Sequence, residues 1–229
     1  MIYIIEHMES GFSDWVVLEY IKIIQEIGSH NLILTSLPVN ITSNDIPSSL
    51  TKLGLQWTKK EVTQLYYDAP NNQILIDGGN DGNNSKILSL DSLSKNICLL
   101  DPASKIDLKP SDSETFQFFV FGGILGDHPP KDRTGELREK YGFSGRRLGK
   151  LQMTTDTAVR VTQLIIEKNI TFDEISFIDY PEIKFNKYES TEMPFRYVLD
   201  DNNKPIFPDG MLDLIKKDTE KSLDSEDLF

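Results

Sequence analysis

Short runs of β-branched and apolar residues, each long enough for one buried strand, alternate with helical patterns along this chain. That alternation constrains its fold more than any other feature. Ile2–Ile5 reads as a buried strand. Ser13-Asp14 then offers an N-cap ahead of Trp15–Ile27, where Val17, Tyr20, Ile21 and Ile24 recur at helical spacing and Gly28 follows as a stop. Asn31–Leu37 reads as the next strand, so strand, helix and strand predict a parallel βαβ unit. The pattern resumes later. Asn96–Leu100 and Phe116–Phe121 read as buried strands, Thr134–Tyr141 as a short charged helix and Ile175–Ile178 as a final strand. Thr155–Lys168 reads as a helix capped by Thr154 or Thr155, with Ala158, Val161 and Ile165 as its apolar stripe. The expected class is α/β, a parallel sheet flanked by helices.

The intervening stretches are less regular. Ile46–Leu53 and Lys59–Tyr67 read as short, lightly amphipathic helices. Residues 68–95, rich in Asn, Asp, Gly and Ser, read as a flexible insertion around at most a weak strand at Ile74–Ile76. The acidic stretch 222–229 reads as a loose tail. A length of 229 residues suits a single domain with these appendages.

Composition narrows the class of function. The single cysteine, Cys98, permits no internal disulfide and fits a reducing compartment. The opening residues lack the basic n-region and cleavage site of a signal peptide, and no apolar run nears the roughly 20 residues of a membrane helix. A cytoplasmic, soluble protein is expected. The net charge of −12 disfavours direct nucleic-acid binding and favours a cationic partner, although the same acidity also serves as a solvated face.

Three loops next to the predicted strands carry the unusual chemistry: Leu100-Asp101-Pro102-Ala103, Gly122–Pro130, and Arg146–Thr155. Ligands of open parallel sheets bind beyond the carboxyl ends of strands, where glycine lets backbone approach a ligand. Gly122, Gly123 and Gly126 alone read first as tight turns. They match neither G-x-G-x-x-G nor the P-loop. His7, His30 and His128 show no paired ligand spacing, so no metal site is expected, and His128 before Pro-Pro reads first as a turn residue. A hydrolase lacks its G-x-S-x-G elbow.

The stretches FVFGGILGDHPPKDRT, RRLGKLQMTTDTAVRVTQLI, FIDYPEIKFN and EMPFRYVLD, with the opening IIEHMESGFSDWVVLEY, resemble the SPOUT-type protein arginine methyltransferases of yeasts. The similarity runs from Met1 to about Leu223, apart from the Asn/Gly-rich insertion. The resemblance implies a C-terminal trefoil knot and S-adenosylmethionine as cofactor. It places Leu100, Asp101 and Pro102 along one side of the adenosine, and Gly122, Gly123, Gly126 and Asp127 at the ribose and methionine. It places Leu148, Leu151, Met153 and Thr155 against the adenine. It also implies a basic protein substrate, an arginine of a small-subunit ribosomal protein, and a monomer or homodimer.

Arginine methylation requires a group that orients the guanidinium and takes its proton, and carboxylates suit both tasks. The candidates are Asp127, then Glu9, then Glu6 and Glu19. Glu19 also reads as half of a solvated helix pair with Lys22, and Arg146 and Arg147 read as solvated. An RNA methyltransferase of the same superfamily and a non-catalytic ribosome-assembly platform are the rival readings. The acidic balance opposes the first and the glycine-rich loops oppose the second.

Overall fold

The computed structural model describes residues 1–76, 87–123, 134–187 and 189–226. β1 (Ile2–His7) leads through α1 (Asp14–Ile27) to β2 (Leu32–Thr35), and α2 (Ser48–Lys52) precedes β3 (Gln56–Trp57). β4 (Tyr66–Asp68), β5 (Gln73–Leu75) and β6 (Ile87–Ser89) follow, then β7 (Ile97–Leu100), β8 (Phe118–Gly123), α3 (Thr134–Tyr141), β9 (Ser144–Arg146) and α4 (Thr155–Ile166). β10 (Phe177–Asp179), β11 (Glu182–Lys184), β12 (Ser190–Glu192), β13 (Arg196–Val198) and α5 (Met211–Glu226) complete the chain.

The main sheet runs β3-β2-β1-β8-β7-β9 with every pairing parallel. Its central strands are buried on both faces, as a parallel sheet requires. Tyr3, Ile5, Phe119 and Phe121 face α1 and α4, whereas Ile2, Ile4, Phe118 and Val120 face Val62, Tyr67 and Leu137 of α3. A third cluster joins Trp15 and Leu18 of α1 to Met193, Phe195 and Tyr197 and to Met211 and Ile215 of α5.

Connections leave β1 and β8 in opposite directions. β1 passes through α1 on one face toward β2, and β8 is followed by α3 on the other face before β9. Adjacent strands whose connections diverge open a crevice at their carboxyl ends, the usual ligand site of open α/β sheets.

Helix caps follow the sequence. Ser13 accepts the Val16 N–H at 3.3 Å, Gly28 closes α1 at φ +82°, and Thr154 occupies the N-cap of α4. Other expectations change. Lys59–Tyr67 is not a helix: it holds a single 3-10 turn at Val62–Gln64 and the start of β4. β4 is the middle strand of a three-stranded antiparallel sheet, so 68–95 carries more strand than expected. Ile175–Ile178 does not extend the main sheet; β10 instead pairs antiparallel with β13. The stretch expected to be a loose tail begins as helix, since α5 continues to Glu226. Tracing the expected knot needs the whole chain path, including 124–133, which lies outside the described residues. Among the described residues no helix is long and apolar enough to cross a membrane, and no cluster of His, Cys, Asp and Glu suits a metal ion.

Candidate functional site

The three chemistry-bearing loops leave three adjacent strands, β8, β7 and β9, at the same end of the sheet. Leu100 ends β7 at 7% exposure, and the N–H of Asp101 donates to the Arg146 carbonyl at 2.8 Å, so the first and third loops are sewn together. Leu148, Leu151 and Met153 are half-buried apolar side chains on the third loop. Gly122 and Gly123 end β8 beside Glu6 and His7. Apolar side chains and open backbone gathered this way suit a flat nucleoside. Gly126, Asp127 and His128 lie outside the described residues.

Several charged residues near these loops are already engaged. Burial alone would raise the Asp101 carboxyl, but Arg138, which donates to both its oxygens at 2.5 and 2.8 Å, holds it below the usual range. Asp101 Oδ1 also accepts the Ala103 N–H, bending the chain at Pro102, which is exposed. Arg146 is not solvated as expected but sits in a partly buried ion pair, while Arg147 stays at the surface with a partner. Arg146 holds Asp112 at 2.9 Å and Arg147 holds Asp107 at 2.6 Å.

Gly123 has a packing reason as well. A Cβ there would lie 2.5 Å from Ile5 Cγ2 and 2.9 Å from the Glu6 carbonyl oxygen. No side chain fits between β8 and β1 at this point.

The candidate carboxylates separate into two environments. Glu6 is 1% exposed and faces α3: its Oε1 accepts the Val62 N–H at 3.0 Å and the Tyr141 hydroxyl at 3.1 Å. It braces the far face of the sheet. Glu9 is half-exposed in the loop after β1, close enough to act electrostatically on both His7 and Tyr20. Burial lowers the His7 pKa, and the neutral ring fits both its contacts, with Nε2–H donating to the Gly11 carbonyl at 3.1 Å and Nδ1 accepting from the Tyr20 hydroxyl at 2.9 Å.

Glu19 overturns the solvated reading. Lys22 pairs with Glu26 at 3.3 Å instead, and Glu19 points inward at 3% exposure, its Oε1 accepting the Trp15 indole N–H at 2.7 Å. Across from it stands Asp156, in the first turn of α4 and 1% exposed. Burial and the charge of Asp156 push the Glu19 pKa well up. Burial likewise raises Asp156, against the opposing pull of Arg160. Arg160 Nη1 lies 3.9 Å from Asp156 with no hydrogen bond of its own, while Nη2 and Nε donate to Glu26 at 2.6 and 3.1 Å. Thr154 and Thr157 lie near Asp156, yet neither oxygen of its carboxylate reaches hydrogen-bond geometry, and the buried Tyr197 hydroxyl beside it is equally unmatched. Buried polar atoms are normally paired, so this cluster retains capacity for a donor-rich guest. A guanidinium, with five N–H donors, is such a guest.

Sequence reasoning missed Trp15, Asp156 and Tyr197. Asp156 reads in sequence as an ordinary acidic residue favouring a helix N-terminus. Only the docking of α4 against α1 turns it toward Glu19.

The chain matches the family described as "Protein arginine N-methyltransferase SFM1-like" over residues 2–80 and 81–222. It is 56% identical over 226 residues to the protein arginine N-methyltransferase SFM1 of Saccharomyces cerevisiae, covering 98% of each chain. It also matches crystal structures of the yeast arginine methyltransferase SFM1. The complex with SAM aligns at TM-score 0.82 and 55% identity over 95% of this chain and 90% of that one. The complex with SAH aligns at TM-score 0.80 and 55% identity over 93% and 94%.

Proposed function

The chain belongs to the SFM1-like protein arginine N-methyltransferase family, and from that premise we propose that it moves a methyl group from S-adenosylmethionine to an arginine of a protein substrate. The finer reading is an arginine of a small-subunit ribosomal protein, modified in the cytoplasm, by a SPOUT-type domain whose C-terminal half forms a trefoil knot. The observation that carries the proposal is the 56% identity to the yeast enzyme over 98% of both chains. The three loops at one sheet end and a buried carboxylate pair beside them are what that chemistry needs.

Leu100, Asp101, Pro102, Gly122, Gly123, Gly126, Asp127, Leu148, Leu151, Met153 and Thr155 are the proposed cofactor contacts. When bound, the cofactor supplies an electrophilic methyl carbon on a sulfonium. The chain's own task is to present a nitrogen and manage its proton. A guanidinium is fully protonated near neutral pH and its nitrogens are poor nucleophiles. Glu19, fixed by the Trp15 N–H and facing Asp156, receives the guanidinium fork, orients one nitrogen and accepts the proton that nitrogen loses on alkylation. Glu9, next to Met8 whose N–H donates to the Gly123 carbonyl at 3.5 Å, and Asp127 remain further candidates for the proton. Glu6, already holding Val62 and Tyr141, serves as a brace.

The test is methyl transfer from tritium-labelled S-adenosylmethionine to proteins and RNA separated after incubation. Label should enter protein and be recovered as methylarginine on hydrolysis; label in RNA alone would exclude the proposal. Glu19→Gln should lower kcat about 100-fold or more while S-adenosylhomocysteine affinity stays within about twofold. A variant at full speed would remove Glu19 from the mechanism.

A further inference from the structure

A cavity of about 530 Å³ opens between the start of α1, the segment joining β12 to β13, and α5. Met193, Pro194, Phe195 and Leu214 make its carbon walls, and Asp14 and Glu192 bring carboxylates to it. Trp15 is the shared element: it lines the cavity, while its indole N–H is bonded to Glu19. The cavity also touches both sides of the proposed site. Asp14 and Trp15 lie just beyond the loop that follows β1, and Phe195 precedes Arg196, whose N–H donates to the Gln152 carbonyl of the third loop at 3.0 Å.

We infer that this cavity takes the substrate polypeptide around the modified arginine and guides that side chain past Trp15 to Glu19. The inference rests on the proposed arginine methylation. Apolar walls with carboxylates suit a side chain of methylenes ending in a cation, and an indole face attracts a guanidinium. The volume exceeds what one side chain occupies and falls within the ordinary range for ligand sites, about 300–1,000 Å³, so neighbouring backbone fits too. The acidic contribution opposes a phosphate backbone. The partner is therefore a basic segment of a protein.

Two substitutions place a positive charge in the cavity: Glu192→Lys, on an exposed position of β12, and Leu214→Arg, on a half-buried position of α5. The assay titrates an acid extract of basic cellular proteins at saturating labelled S-adenosylmethionine. S-adenosylhomocysteine affinity is measured in parallel by calorimetry. Each variant should need about tenfold more extract for half-maximal labelling, with maximal labelling and S-adenosylhomocysteine affinity close to those of the starting protein. Glu192→Asp should restore the original titration. Unchanged titrations in both lysine and arginine variants would overturn the cavity assignment and leave the methyltransferase reading intact. A matching loss of S-adenosylhomocysteine affinity would place these residues at the cofactor and also overturn it. If the unsubstituted protein binds S-adenosylhomocysteine yet labels no protein, the functional reading fails and the cavity assignment falls with it.

Discussion

Asp156 shows how much a single side chain can hide in a sequence. In the run Thr155-Asp156-Thr157 it has the position of a helix-dipole acid, and nothing in the neighbouring residues reveals a second carboxylate across the interface. The structure brings Glu19 to it, and the folded protein must hold two acidic groups together away from water. Both pKa values are raised, so the folded state keeps protons that the unfolded chain has released. The contribution of the pair to stability is therefore complete below the ordinary carboxylate range near pH 4 and is lost as pH rises through the raised values. Asp156→Asn removes the repulsion and should raise Tm at pH 7.5 by about 2–4 °C, roughly 1 kcal/mol at this chain length. The gain should shrink toward pH 4.5. Thermal melts of both proteins across that range check the prediction, and a Tm difference that grows toward acid would mean that Asp156 is ionised and satisfied in the folded protein.

At the level of elements, the inner strands and the helices of the parallel layer were legible because each carries its own signal, whereas its edge strands β3 and β9, two and three residues long, were not. β1, β7 and β8 are continuous apolar runs, and α1 and α4 have caps and one-sided stripes. The misread elements lack such signals. β4, β5 and β6 are three residues each, and strands that short gain order mostly from packing, here of Tyr67 and Ile74 under the sheet. The β10–β13 ribbon is also short, and its position depends on Arg196, which holds Asp179 at 2.6 Å and joins the loop through Gln152. Gly123 was legible as part of a ligand loop but not as a packing requirement, because its tight neighbours come from β1 and α1. Gly123→Ala must push β8 away from β1 just where the proposed cofactor loop begins. It should cost about 1–3 kcal/mol of stability and weaken S-adenosylhomocysteine binding more than tenfold. Urea unfolding and calorimetry measure the two effects, and full stability with full affinity would show that the strand ends yield without harm.

For the molecule as a whole, the net charge of −12 was plain from composition, but composition says nothing of where the carboxylates stand. Many are spent locally: Asp101, Asp107, Asp112 and Asp179 each hold an arginine. The excess remains as a field felt by any approaching partner, and the proposed substrate is basic. Such a field raises the encounter rate at low ionic strength and is screened as the Debye length shrinks from about 10 Å at 0.1 M salt to about 3 Å at 1 M. The chemical step, carried out by groups buried behind Trp15, should feel salt much less. Raising sodium chloride from about 0.05 to 0.5 M should therefore lower kcat/KM for the protein substrate by roughly tenfold or more while kcat changes by less than about twofold. Sodium and potassium salts should act alike, since screening depends on ionic strength. If kcat falls with salt and kcat/KM does not, the charge acts on the buried pair and not on capture of the substrate.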